Sequence, residues 1–276
     1  MPKVWLITGT SSGLGESIAK EVLDKGDILI ATARNSAKIS PEIRHHQNSL
    51  VTDIDVTDIQ SVNKAIKETV QIYGKLDVLV NNAGIGYMGA VEETDPQAAR
   101  QVMETDFWGV SNMINAALPT MRKQKSGLII NVTSEGGLVS FPATGYYHAA
   151  KFAVEGLTGS LAQEVEPLGI RIMNVEPGAF KTKWNNSSKR RNRVIHDYDS
   201  TAGKMVDHYD QAQGKQKGDP DLAAQLIYEA ANESQPPKHL VVGAGVAKTV
   251  KDYFSSIEKD VDNWKDRAEK TSFGDQ

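Results

Sequence analysis

The sequence predicts a doubly wound α/β domain, a parallel sheet of about seven strands with helices on both faces. Short apolar runs alternate with longer amphipathic stretches along all 276 residues, the βαβα pattern of a parallel sheet covered on both sides. Most of the short runs are apolar at consecutive positions, as strands buried on both faces are. No repeat, low-complexity tract or Pro/Gly/Ser-rich linker divides the chain, so residues 1–276 read as one domain and not two small ones.

The elements follow in order. Val4 to Thr8 is the first strand, and a glycine-rich turn leads from it into a helix whose stripe is Leu14, Ile18, Val22 and Leu23. Ile28 to Thr32, Leu50 to Ile54 and Val78 to Asn81 are the next strands. Asp95-Pro96 then places a capping carboxylate before a proline suited to the first helical position. After the strand Leu128 to Val132, a second stripe runs through Leu157, Leu161, Val165 and Leu168, followed by the strand Arg171 to Val175. Residues 179–218 form a polar insert rich in Lys, Arg, Asn and Ser, and irregular stretches of that length are functional lids or disordered. Asp219-Pro220 starts another helix, His239 to Val242 is the seventh strand, and residues 246–276 form a helical tail.

Composition removes several function classes. With no cysteine there is no disulfide scaffold, thiol nucleophile or thiolate metal site, and the chain suits a reducing compartment. His45 and His46 stand without other ligand types at metal spacing, so no metal site is expected. A net charge of −4 and a pI near 5.9 argue against wholesale binding to nucleic acid or an anionic membrane. The opening apolar run is too short for a signal peptide, and no run approaches the ~18 residues of a membrane span. The expectation is a soluble cytoplasmic protein.

The turn Thr8-Gly9-Thr10-Ser11-Ser12-Gly13-Leu14-Gly15 lies where a phosphate site would form. Glycines permit positive φ and close approach of a ligand oxygen, and the helix start that follows offers free N–H groups. Alone the trio is an ordinary tight turn; after a first strand and opening a helix it points to a nucleotide. An NAD site offers an acid near the end of the second strand to hold the ribose 2′-hydroxyl. Here that stretch is Ala31-Thr32-Ala33-Arg34-Asn35-Ser36, which has no acid and one guanidinium. Arg34 suits a 2′-phosphate, so NADP(H) is expected in preference to NAD(H); the alternative is a solvated surface arginine.

Tyr147 and Lys151, four apart on a helix, share a face. A free phenol has a pKa near ~10, and a neighbouring cation lowers it. Ser134 follows the strand Leu128 to Val132, at the carboxyl end where ligands of parallel sheets bind. With Asn81-Asn82-Ala83-Gly84 after the fourth strand and Pro177-Gly178 after the sixth, the chain resembles the short-chain dehydrogenase/reductase family, in the subgroup marked by TGxxxGxG, NNAG and YxxxK. The softer resemblance within it is to 17β-hydroxysteroid-dehydrogenase-like carbonyl reductases.

That resemblance implies a Rossmann-type fold, a reaction and a site. Tyr147 would be the general acid of carbonyl reduction and the base of alcohol oxidation. Lys151 would lower its pKa and hold the nicotinamide ribose, and Ser134 would polarise the substrate carbonyl. Gly9, Ser11, Ser12, Gly13, Leu14 and Gly15 would hold the pyrophosphate end, and Asp55 and Val56 the adenine. Asn82, Ala83 and Gly84 would line the cofactor, with Pro177, Gly178, Phe180 and Thr182 at the nicotinamide. The family's usual Asn is replaced by Asp106; its main-chain carbonyl would serve the water relay to the lysine, while its carboxylate needs a partner. The family also implies a homodimer or homotetramer. Glu135 reads as a surface salt-bridge partner, and His148 as packing or solvent-facing.

Pocket walls are expected from Tyr87, Met88, Leu138, Val139, Phe141, Tyr146, Phe180, Trp184, Met205 and Tyr209, an apolar set that favours a hydrophobic ketone, aldehyde or alcohol. Core packing is the competing reading for each of them. Two rivals stand beside the carbonyl reductase. Lys181, Lys183, Lys189, Arg190, Arg191 and Arg193 would suit an anionic 3-oxoacyl thioester, and the fold alone would also suit a non-catalytic NADP-binding sensor.

Overall fold

The computed structural model describes residues 1–273, apart from the side chain of Asn186. Its main sheet is parallel throughout, built from β1 (Val4–Ile7), β2 (Ile28–Ala33), β3 (Ser49–Asp53), β4 (Val78–Asn81), β6 (Gly127–Val132), β7 (Ile170–Pro177) and β9 (His239–Val242). The order is β3-β2-β1-β4-β6-β7-β9. Chain order therefore reverses between β1 and β4, and the carboxyl ends of these two strands open the crevice where doubly wound sheets bind ligands. The expected strands are all present, with ends moved by a residue or two.

Alternation along β1 shows how the sheet divides two cores. Trp5 and Ile7 point to one side, against Ile18 and Val22 of α1 (Gly13–Asp24) and Ile227 of α9 (Pro220–Asn232). Val4 and Leu6 point to the other. There they meet Val62 of α3 (Ile59–Tyr73), Met113 of α5 (Gly109–Gln124) and Val154 of α6 (Gly145–Val165). Trp5, Leu6 and Ile7 are fully buried, and each such side chain contributes about 1.5–3 kcal/mol of burial. Short α2 (Pro41–Arg44) and α4 (Pro96–Met103) complete the layers. The two Asp-Pro starts cap as their chemistry predicts: Asp95 accepts from the Gln97 and Ala98 N–H groups, and Asp219 from that of Asp221.

The insert is only partly irregular. It includes α7 (Trp184–Ser187), the two-residue strand β8 (Lys189–Arg190), a tight turn over His196–Tyr198, a π-helical turn over Asp199–Gly203, and α8 (Lys204–Gln211). β8 pairs with β5 (Tyr87–Met88). Under this pairing lies a small third core of Met88, Ala90, Ala143, Ala202 and Val206, packed by Trp184, Met205 and Tyr209. The last α-helix among the described residues is α10 (Val246–Ala268), of which only Val246 is buried.

Candidate active site

A cleft of about 830 Å³ lies over the carboxyl ends of β1, β2, β4, β6 and β7. At one end is the glycine turn. Gly9 and Gly13 have φ of +75° and +63°, a conformation open to glycine and strained for other residues. Ser12 caps α1 without a side-chain bond to it, so the first N–H groups of the helix face the cleft without a side-chain acceptor. Gly15 stands outside the cleft wall. A Cβ there would run into the Asn82 side chain and, at 2.5 Å, the Gly9 carbonyl oxygen; it is a packing glycine. Asn82 in turn fastens the β4 loop to the turn, its Nδ2 donating to the carbonyls of Thr8 and Gly9 at 2.9 and 3.1 Å.

Arg34, at the end of β2, lines the cleft with Asn35 and Lys38. Among the described residues, the acids on the cleft wall are Asp106 and Glu135, which belong to the Lys151 and Ser134 segments. Val56 lies on the wall, whereas Asp55 does not. The Asp55 carboxylate instead accepts from the N–H and hydroxyl of Thr57 at 3.0 and 2.7 Å. Ala83, Gly84, Pro177, Gly178, Phe180 and Thr182 also line the cleft.

In the middle of the cleft, Ser134, Tyr147, Lys151 and Asp106 converge. Lys151 Nζ donates to the Val132 carbonyl at 3.1 Å, lies 3.4 Å from Asp106 Oδ2, and sits 5.6 Å from the Tyr147 ring centroid. Asp106 is completely buried, in a π-helical turn over Glu104–Trp108. Its Oδ1 accepts from the Ile85 N–H at 2.8 Å, and its Oδ2 is ion-paired to the lysine without an aligned hydrogen bond. The Asp106 carboxylate thus reaches Lys151 directly. Gly84 makes room for it: a Cβ there would lie 3.0 Å from Oδ2.

This arrangement changes the electrostatics expected from Tyr147 and Lys151 alone. Burial pushes the Tyr147 phenol above its ordinary value, Lys151 and the Ser134 hydroxyl pull it down, and Asp106 adds to the rise. Burial works against the charge on Lys151, but Asp106 and Tyr147 more than offset it, so the lysine stays a cation. Ser134 Oγ accepts from the Gly136 N–H at 2.9 Å, and its one hydroxyl proton is the one directed toward Tyr147.

His148 packs as expected, and also positions the site. Its Nε2 accepts from the Phe141 N–H at 3.0 Å and faces Thr144 Oγ1 at 2.8 Å. Nδ1 must then be the protonated nitrogen, donating to the Gly136 carbonyl at 2.8 Å. Burial lowers its pKa and keeps the ring neutral. The loop bearing Ser134 is thereby tied to the helix bearing Tyr147. A second support was hidden in the strand sequences. Asn81, Asn131 and Asn174 stand in register on β4, β6 and β7, with Asn81 Nδ2 donating to Asn131 Oδ1 at 2.9 Å and Asn131 Nδ2 to Asn174 Oδ1 at 3.0 Å.

Beyond Tyr147 the cleft turns apolar. The Trp184 ring lies against the phenol at a tilt of 56°, with ring centroids 5.0 Å apart, and Ile85, Phe141 and Tyr209 continue the wall. Tyr87, Met88, Leu138, Val139, Tyr146 and Met205 are not on it. Neighbours on a strand face opposite ways: Tyr87 enters the core between α4 and α6 with Ala98, Val102 and Ala150, while Met88 enters the core of the insert. Glu135 makes no ion pair among the described residues; it is half-buried on the cleft wall, and burial raises its pKa.

The cations of the insert are largely matched within the fold. Arg191 reaches Glu93 at 2.5 Å, Arg190 reaches Asp210 at 2.8 Å, Arg193 reaches Glu92 at 3.5 Å and Lys189 bonds Gln101 at 2.8 Å. Of the six, only Lys183 lines the cleft. The Glu93 side chain is fully enclosed. Burial would raise its pKa, but Arg191 and the N–H groups of Ile195 and Ala90 hold it down to about 2.

Comparison with known proteins agrees with this fold. The family model for short chain dehydrogenases matches residues 3–193. The oxidoreductase BOA17 of Botryotinia fuckeliana is 37% identical over 245 residues, 88% of this chain and 89% of its own. A 3-ketodihydrosphingosine reductase of Bacteroides thetaiotaomicron is 40% identical over 186 residues, 67% of each chain. The crystal structure of a short-chain dehydrogenase from Streptomyces avermitilis superposes with a TM-score of 0.91 at 33% identity, covering 99% of this chain and all of the other. ElxO, solved with NADP bound, superposes with a TM-score of 0.74 at 31% identity over 90% of this chain and all of its own.

Proposed function

Because the chain belongs to the short-chain dehydrogenase/reductase family, we propose that it is an NADP(H)-dependent oxidoreductase interconverting a hydrophobic ketone or aldehyde and its alcohol. One observation carries this reading. A single cleft joins a glycine turn with a helix start lacking a side-chain cap, an arginine where NAD sites place an acid, the trio Ser134, Tyr147 and Lys151, and an aromatic end. The donor set fits a nicotinamide dinucleotide: the turn would hold its pyrophosphate, Arg34 its 2′-phosphate, and Lys151 its nicotinamide ribose. The dinucleotide supplies the hydride at nicotinamide C4.

The chain supplies protons, orientation and charge. In reduction the Tyr147 hydroxyl gives its proton to the nascent alkoxide, and in oxidation the phenolate takes the alcohol proton. Ser134, with its own oxygen already accepting from Gly136 N–H, donates to the same substrate oxygen and is strongest when that oxygen is charged. Lys151 stabilises the phenolate from a fixed position between Val132 and Asp106. Trp184, Phe141 and Tyr209 exclude water and select for apolar bulk.

The substrate class draws support from the aromatic wall and from a relative whose name states reduction of a 3-keto compound. The thioester alternative is the weaker reading, because Arg190, Arg191 and Arg193 pair with acids and Lys189 bonds Gln101, which leaves Lys183 as the cation of that run on the cleft wall. A sensor without catalysis would have no use for the convergence of Ser134, Tyr147 and Lys151. The reading includes a cytoplasmic enzyme acting as a homodimer or homotetramer, with the insert as a lid. Screening ketones, aldehydes and alcohols with NADPH and NADH tests it: turnover of apolar carbonyls with NADPH is expected, and preference for NADH or for acyl thioesters would overturn it.

A further inference from the structure

Helix α10 leaves its own domain. Every residue from Phe254 to Ala268 is exposed, and a 23-residue helix is about 34 Å long. Its sequence is not that of a solvated helix. Val250, Phe254, Ile257, Val261, Trp264 and Ala268 recur at steps of four and three along one face. Phe254, Ile257, Val261 and Trp264 are 51, 41, 59 and 61% exposed. A stripe this continuous marks an interaction surface, and a helix held only at its base has little stability of its own in water.

Steps of four and three are the a/d repeat of paired helices. With Phe254, Val261 and Ala268 at a and Val250, Ile257 and Trp264 at d, the flanking positions are Lys251, Glu258 and Lys265 on one side and Tyr253, Asp260 and Arg267 on the other. We propose that α10 pairs with α10 of a second copy of this chain, antiparallel, with Val261 of each packed on Trp264 of the other.

This register packs Ile257 to Ala268 and leaves Phe254 opposite Thr271; it is the charges, not the extent of apolar cover, that select it. In that register Glu258 meets Lys265 and Asp260 meets Arg267, each twice by symmetry. Shifting the pair by half a heptad toward the N terminus sets Lys251 against Lys265, and Glu258 and Asp260 against themselves. A parallel pair matches Asp260 with Lys265 and no other charges. Arg267 already lies over the Trp264 ring, 5.2 Å from its centroid, where it caps the proposed central layer. The helix carries five acids and five bases, so it lacks the cationic flank that would seat it on an anionic membrane.

Sedimentation of the full chain over a range of concentrations tests the pairing, with circular dichroism as the check on folding. Val261→Asp with Trp264→Asp should halve the associated mass. Lys265→Glu or Glu258→Lys alone should weaken association roughly tenfold, and the two together should restore it. The pairing is overturned by an unchanged mass in the Asp variant, by failure of the double charge swap to recover what the single swaps lose, by a wild-type monomer, or by flotation of the helix with anionic vesicles at unchanged mass.

Discussion

Replacing Asp106 with Asn isolates the feature that sets this site apart from the family pattern. The amide keeps the shape and the bond from the Ile85 N–H but removes the charge 3.4 Å from Lys151. At an effective dielectric near ~20, a cation about 5.6 Å from the Tyr147 ring favours phenolate by about 3 kcal/mol. The carboxylate, at most about 9 Å away, opposes that by about 2 kcal/mol, or roughly 1 pH unit. Asp106→Asn should therefore lower the pKa of Tyr147 by about one unit. In oxidation Tyr147 is the base, so the rising limb of kcat/KM against pH should move about one unit down, with roughly tenfold faster turnover below it. In reduction it is the acid, and the falling limb should move down equally. Both limbs are read from the absorbance of the reduced cofactor. A limb that stays in place or moves upward would refute the reasoning.

Three further outcomes follow from the same geometry. Arg34→Ala should raise the KM for NADPH roughly ten- to hundredfold, the worth of a charge-assisted pair of bonds, and leave that for NADH unchanged in steady-state kinetics. Glu93 is held at about 2, below its unfolded value near ~4.3, so its latch on Arg191 contributes stability above that value and loses it as pH falls through about 2. Limited proteolysis of the insert should therefore stay slow at pH 5 in wild type and accelerate in Glu93→Gln at every pH above about 2. His148→Leu strands the Gly136 carbonyl and Phe141 N–H, which should cost about 2–4 kcal/mol in denaturant unfolding and lower kcat with little change in cofactor affinity.

What could be read from the chain depended on how local the signal was. Runs such as Leu128 to Val132 and Arg171 to Val175 announce buried parallel strands by themselves, and the spacing of Tyr147 and Lys151 is a property of one helix. β5 and β8 have two residues each, too few for any periodicity, so the pairing that folds the insert was invisible. The insert looked like a free cationic run because Glu92 and Glu93, which neutralise two of its arginines, lie about 100 positions earlier. Tyr87 was misplaced for a related reason, since its neighbour Met88 faces the insert and it does not. The Asn81, Asn131 and Asn174 ladder could have been found by aligning the carboxyl ends of three strands. The role of His148 could not, because its partners come from a loop with no pattern of its own.

The most direct test of the account compares wild type with Tyr147→Phe. NADPH affinity is measured by the fluorescence of the bound nucleotide and turnover on the best carbonyl substrate in the presence of saturating NADPH. Binding should stay within about threefold, because the hydroxyl is one contact among many, while turnover should fall by roughly two to four orders of magnitude with loss of the general acid. Turnover close to wild type in the phenylalanine variant would contradict the assignment of Tyr147 as the group that delivers the proton.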